Sequence, residues 1–207
     1  MKAKQAFDFN IERARKLSAL YESQRKVGNT HLDVEDLLRA SIVLAVGAVD
    51  AYVHDKVSEN LVPFIKRALK NNSNDLEPIE KILKRAEVQT RQYLSWLTLD
   101  RPFVKVRQVI DSHMSYESLQ HPGSIRDAFI LIGKKDIWSR CSKLMNRTEK
   151  EISDQLVDLA RRRNQIVHEG DREKSRLKKH QERNINPDWV HAQLDFIEHL
   201  VNALERL

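Results

Sequence analysis

Apolar residues along this chain recur at intervals of three and four, and no segment alternates convincingly with period two, so the pattern predicts helices almost throughout. Phe7, Ile11, Ala14, Leu17 and Tyr21 mark a first amphipathic helix ending near Gly28. A longer helix begins around residues 30–33 and carries the run over 37–57; it is apolar nearly all round, which predicts a central position. Further helices are expected around residues 79–97, 103–114, 125–131 and 137–145. Thr148, three residues before Glu151, reads as a capping box opening the next helix, whose apolar stripe runs through Ile152, Leu156 and Leu159. Asn186-Pro187 opens the last helix, where Val190, Leu194, Ile197, Val201 and Leu204 form a seam for the core or for a second subunit. The reading is therefore all-α: a single helical domain over residues 1–207, with an N-terminal helix in 1–30, a core over about 33–204 and a basic connector at 172–185.

Composition changes this picture little. The chain has 207 residues, 41% of them hydrophobic, which suits one substantial core. Gly and Pro number five each, and no internal repeat or long low-complexity tract interrupts the pattern. Met1-Lys2-Ala3-Lys4 leads into an amphipathic helix rather than a signal-peptide core, and no apolar run approaches bilayer-spanning length, so a cytoplasmic protein is expected. The lone Cys141 has no thiol partner and reads as a core residue.

Charge adds more. A net charge of +6 and a pI near 9.4 favour an anionic partner. Arg172, Lys174, Arg176, Lys178, Lys179 and Arg183 are opposed within residues 172–183 only by Glu173 and Glu182. This run is either a basic loop over a binding cleft or a solvated charged connector.

The segment Arg161-Arg162-Arg163-Asn164-Gln165-Ile166-Val167-His168-Glu169-Gly170-Asp171 carries the candidate chemistry. An Arg can neutralise phosphoryl oxygens bidentately, and a His can move a proton near neutral pH. Spacing alone says little, because Arg107 with His113 fits the same pattern, as do Arg161 and Arg162 with His168. Context discriminates. Arg163 takes the next place on the apolar stripe, with Val167 a turn beyond, so it is expected to point inward; Arg161 and Arg162 fall off the stripe and are expected to meet solvent or a ligand. Gly170 ends the helix and puts His168 in or just beyond its last turn. The competing structural reading is an inward Arg paired to a buried acid and a His serving as a cap.

Asp50 is the acid that such a pair would use, because it interrupts an otherwise apolar run where an unpaired carboxylate would be costly. An Asp50–Arg163 pair would pin two helices or hold the guanidinium in place. His54, one turn after Asp50, supplies a second metal-ligand type without a third at a recognisable spacing, so no metal site is expected. Trp96, Trp138 and Trp189 sit in helical patterns and read as core rather than as base-stacking platforms. Nothing resembles a phosphate-cradling Gly-rich loop or a serine nucleophile elbow.

Arg163-Asn164 through His168 resembles the Arg-Asn-x-x-x-His signature of HEPN domains, and the chain is most similar to their RiboL-PSP-HEPN type. The apolar run at 41–52 and the positions Ile125, Phe129, Gly133, Asp136, Ile137 and Trp138 resemble the same subgroup, and the likeness spans roughly residues 33–204. It implies an all-α domain that forms a two-fold dimer, with the Arg and His of both protomers converging on one cleft. Many members are metal-independent endoribonucleases without a cofactor; others only bind. Carried onto this chain, Arg163 would contact the scissile phosphate, His168 would transfer protons and Asn164 would orient the pair or touch the phosphate; the family motif assigns nothing to Asp50, whose supporting role rests on the facial reading above. Arg161, Arg162, Arg172, Lys174, Arg176, Lys178 and Lys179 would contact the RNA backbone. The family also implies a growth-arresting toxin or anti-phage effector, often controlled by an antitoxin.

Cleavage of RNA by its own 2′-hydroxyl needs a base for that hydroxyl, an acid for the departing 5′-oxygen and a cation for the phosphate between them. One chain offers one His168, so a dimer joining two copies of the segment is a chemical requirement as well as a family expectation. Two alternatives remain open at this point: a non-catalytic module binding RNA, a nucleotide or a protein through the same cleft, and a purely structural dimer.

Overall fold

A computed structural model describes residues 2–27, 34–71, 73–173 and 182–207. Among these, nine α-helices follow one another: α1 (Ala3–Lys26), α2 (Glu35–Lys70), α3 (Glu77–Arg85), α4 (Thr90–Trp96), α5 (Pro102–Met114), α6 (Pro122–Ile130), α7 (Ile137–Met145), α8 (Glu149–Glu169) and α9 (Pro187–Glu205), with a 3₁₀ turn at Asn74–Leu76 before α3. The described residues contain no strand, only an isolated antiparallel bridge between Arg172 and Glu182. The all-helical expectation holds.

Helix α2 is the axis of the fold. Leu38, Ile42, Ala45, Val49 and Val53 are buried along one face, and α1, α5, α6, α8 and α9 pack against the helix. The cover is uneven, since Ala40, Gly47, Ala51, Asp55 and Glu59 stay exposed, so the helix is central without being enclosed on every side. It runs well past the expected end near residue 57, through Pro63, to Lys70. A proline removes one donor from the ladder, but buried Leu61, Phe64, Ile65 and Ala68 hold the chain in the helical path on both sides of it. The most apolar 18-residue window of α2 has mean hydropathy 1.5, long and apolar enough to cross a membrane, which corrects the expectation that no such run exists; 56% of that window is buried within this chain.

Two other boundaries differ from the pattern. Residues 79–97 form two helices instead of one, because Glu87 adopts a left-handed conformation (φ 53°) and the chain restarts from extended Gln89. A glutamate gives no sequence warning of such a stop. The seam of α9 is buried within the chain itself, against α1, α2 and α7, which settles the choice between core and second subunit for those residues. Tyr52 of α2 donates a hydrogen bond of 2.9 Å to Glu205, and Arg15 of α1 pairs with Asp195 and Glu198 at 2.6 Å, so polar contacts fix α9 at both sides of that seam.

Cys141 is fully buried, and burial pushes its thiol up to about 12, as suits a core residue. Trp96 is buried, Trp138 and Trp189 pack against the core, and Trp138 donates its indole N–H to the Pro122 carbonyl at 3.2 Å.

Two glycines separate backbone freedom from packing. Gly133 has φ +76°, and a Cβ there would lie 2.4 Å from the Phe64 ring. Gly133→Ala is expected to cost at least roughly 2 kcal/mol through strain and overpacking. Gly47 lies within α2 with nothing within 4 Å of a built Cβ, so Gly47→Ala is expected to stabilise by about 0.5–1 kcal/mol. Urea denaturation of the two variants checks both signs.

Candidate active site at the end of helix α8

Helix α8 begins on the predicted capping box: Thr148 Oγ1 accepts from the Glu151 backbone N–H at 3.2 Å, and Glu151 Oε2 accepts from the Thr148 N–H at 2.7 Å. Ile152, Leu156 and Leu159 are buried and seat its first half on the core. At the other end Gly170 (φ 61°) and Asp171 (φ 54°) are both left-handed, which turns the chain sharply back; the N–H groups of both reach the Gln165 carbonyl.

The reversal buries Asp171, which is 2% exposed, among arginines from two elements. Arg162 of α8 grips both of its carboxylate oxygens, and Arg39 of α2 donates Nε to Oδ2 at 2.8 Å. The Arg183 N–H donates to the Asp171 carbonyl at 2.7 Å, and Arg183 pairs with Glu169 at 3.2 Å. Arg39 also reaches Glu35 and Asp36 at 3.2 Å, Glu182 at 3.0 Å and the Arg183 carbonyl at 3.1 Å. Burial works against the Arg39 charge, but the hydrogen bond to Asp171 and the surrounding carboxylates outweigh it and hold the guanidinium above its ordinary value. This network ties the first turns of α2, the end of α8 and the chain at 182–184 into one joint.

The three consecutive arginines divide accordingly. Arg161 is exposed and pairs with Asp158 at 2.6 Å. Arg162, expected to meet solvent or a ligand, is instead only 13% exposed in its side chain and bound to Asp171, because the reversal brings that carboxylate back beneath it. Arg163 is half-buried; its Nη1 donates to Asn164 Oδ1 at 3.0 Å, while its Nε is buried without a hydrogen-bond partner. Among the described residues no carboxylate lies within ion-pair distance of Arg163.

The expected Asp50–Arg163 pair does not form. Asp50 is half-buried on α2 and its Oδ1 accepts from the Leu119 N–H at 2.6 Å, so it caps the turn before α6. The stripe also shifts near its end: Val167 is 45% exposed, and Ile166 packs on the core in its place. Asn164 and His168 are exposed and, four residues apart in one helix, share a face. Arg172 is exposed, whereas Lys174, Arg176, Lys178 and Lys179 lie outside the described residues. Arg39 and Asp171 escaped the sequence reading, although Arg39 interrupts the apolar start of α2 as plainly as Asp50 interrupts its middle.

Among the described residues the arrangement offers a guanidinium without an acid partner, an amide bonded to it and an accessible imidazole, all on a helix end fixed by its neighbours. Such a set can hold a phosphate and exchange a proton with it. A model of the family described as RiboL-PSP-HEPN matches residues 8–207. No curated protein and no solved structure matches the chain.

Removing the Asp171 charge leaves Arg162 without a counter-ion, while Arg39 keeps Glu35, Asp36 and Glu182, so Asp171→Asn is expected to destabilise by about 2–3 kcal/mol. Asp50→Asn keeps an oxygen for the Leu119 N–H and is expected to cost about 1 kcal/mol or less. Chemical denaturation of both variants ranks them.

Proposed function

The chain belongs to the RiboL-PSP-HEPN family, and from that premise we propose that it is a metal-independent endoribonuclease acting as a two-fold dimer. Domains of the wider HEPN group are often ribonucleases, so an RNA-related role is the coarser statement that the family carries. The observation that carries the finer one is Arg163. Arg162 is bound to buried Asp171 and Arg161 forms an exposed pair with Asp158, whereas Arg163, bonded to the neutral Asn164 amide, has no carboxylate within ion-pair distance among the described residues. A guanidinium left in that state fits a ligand that brings its own negative charge.

In this reading Arg163 holds the non-bridging oxygens of the scissile phosphate, and Asn164 fixes the guanidinium through its Oδ1. One His168 takes the proton from the 2′-hydroxyl, whose oxygen attacks phosphorus. The bond from phosphorus to the 5′-oxygen breaks, and the second His168 of the dimer protonates that leaving oxygen. The products are a 2′,3′-cyclic phosphate and a 5′-hydroxyl, with no metal in the balance. Exposed Arg161 and Arg172 flank the segment and suit the RNA backbone on either side.

The test is incubation of a mixed RNA pool with purified protein in EDTA. His168→Ala and Arg163→Ala are each expected to lower the cleavage rate by about 100-fold or more, with circular dichroism unchanged. Light scattering should give twice the 24.2 kDa chain mass. Products ending in a plain 3′-hydroxyl, or cleavage abolished by EDTA, would overturn the mechanism. Binding without cleavage by wild type would make the chain a recognition module.

A further inference from the structure

At the far end of α8 from the motif, a cavity of about 330 Å³ opens between α7 and α9. Arg147, His199, Asn202 and Arg206 line it over a floor of Met145 and Phe196, and no carboxylate takes part. Lack of a carboxylate does not by itself single this cavity out, since another beside α4 and α5 is lined by Arg85, Lys105 and His113 without one. One between α3, α5 and α6 sets Glu117 and Asp127 beside Lys81, Arg85 and His113, and one beside α3 to α5 is lined mainly by apolar residues such as Leu69, Val88 and Phe103.

The basic side chains here are not all explained by the helix ends beside them. The last turns of α7 and α9 favour nearby cations, which accounts for an exposed Arg206. It does not account for how Arg147 is held. The Arg147 Nη1 donates to Gln155 Oε1 at 2.6 Å, and Gln155 Nε2 donates to Gln193 Oε1 at 2.8 Å. Gln193 is 7% exposed, one of the few buried polar side chains among the described residues. The guanidinium also lies over the Phe196 ring, 5.3 Å from its centroid. Two amides placed between α8 and α9 therefore end on one half-buried arginine, and among the described residues neither Arg147 nor Arg206 has an acid within ion-pair distance. Orienting a cation through neutral amides leaves its full charge available, whereas a carboxylate would cancel it.

We propose that this cavity is a second anion site, built to take a phosphoryl group, with Arg147 as its oriented donor and Arg206, His199 and Asn202 completing the ring. Arg147 precedes α8 and Arg163 lies near its end, roughly 20 Å along the axis at 1.5 Å per residue, so the two sites are separate. The ligand carries either a phosphodiester, as in an RNA strand, or a phosphate monoester, as in a free nucleotide. Both present the same oxygens to a guanidinium. The site does not rely on catalysis at His168.

The test uses the full chain carrying His168→Ala, which removes cleavage from the measurement. Adenosine monophosphate and a short oligouridine ending in hydroxyls are titrated separately while the His199 ring resonances are followed by NMR. Saturable shifts at His199 are expected with at least one probe, and the probe that produces them identifies the phosphate type. Arg147→Gln should weaken that binding about tenfold or more. Arg206→Gln, at an exposed position, gives the same direction without touching the relay, and Gln155→Met should weaken binding by freeing the orientation of Arg147. Absence of His199 shifts with both probes overturns the proposal, as does affinity unchanged from the parent chain in both the Arg147→Gln and the Arg206→Gln variant. Because the readout is binding at His199, these outcomes are independent of whether the Arg163 to His168 segment cleaves RNA.

Discussion

The buried carboxylate of Asp171 is the interaction on which the candidate site depends. A charge 2% exposed is tolerable only with counter-charges in contact, and here two guanidiniums, from α2 and α8, supply them. The energetic balance of such a cluster against an apolar replacement is small. Its geometric consequence is large, because the three groups meet in one arrangement only when α2, α8 and the chain after Asp171 are in register.

That arrangement decides what Arg163 can do. A run of three arginines ending a helix would by itself be a mobile cationic tip. With Arg162 locked to Asp171 and Arg161 engaged by Asp158, the helix end is held and the charge of Arg163 is not consumed. Asn164 then bonds the guanidinium without neutralising it. A neutral partner fixes direction and leaves charge for a ligand, and the same logic appears at Arg147 with Gln155.

Much of this was legible in the sequence, and the failures have a common cause. Periodicity, caps and the Gly170 stop located α1, α5, α7, α8 and α9 closely, since these signals act over one or two turns. The motif residues Arg163, Asn164 and His168 were legible as a polar group at a helix end. What was missed is long-range or conformational. Asp171 became the buried acid because a left-handed Asp follows a left-handed Gly, which no periodic pattern encodes. Asp50 looked buried from the apolar run around it, yet a helix that is covered unevenly leaves some positions half-open, and this one faces the Leu119 turn. Assigning a partner from two facial guesses fails when either face is slightly misjudged, as Val167 and Ile166 show within α8 itself.

The position of His168 also bears on why, for the proposed cleavage, one copy of the chain would be chemically incomplete. Its side chain is exposed in the last turn of α8, on the face it shares with Asn164, while the half-buried Arg163 is joined to that face through the Asn164 amide. A single imidazole can be base or acid at one instant, not both, and in-line displacement puts the attacking and leaving oxygens on opposite sides of phosphorus. In the proposed cleavage a second imidazole would therefore have to approach from across the phosphate. An exposed His168 beside a 45% exposed Val167 allows another copy of the same helix end to come close about a two-fold axis. On the proposed mechanism the joint at Asp171 would have a further use: two helix ends that meet within hydrogen-bonding distance of one phosphate would have to be stiff before they meet, since disorder at either would spread the two imidazoles beyond productive geometry.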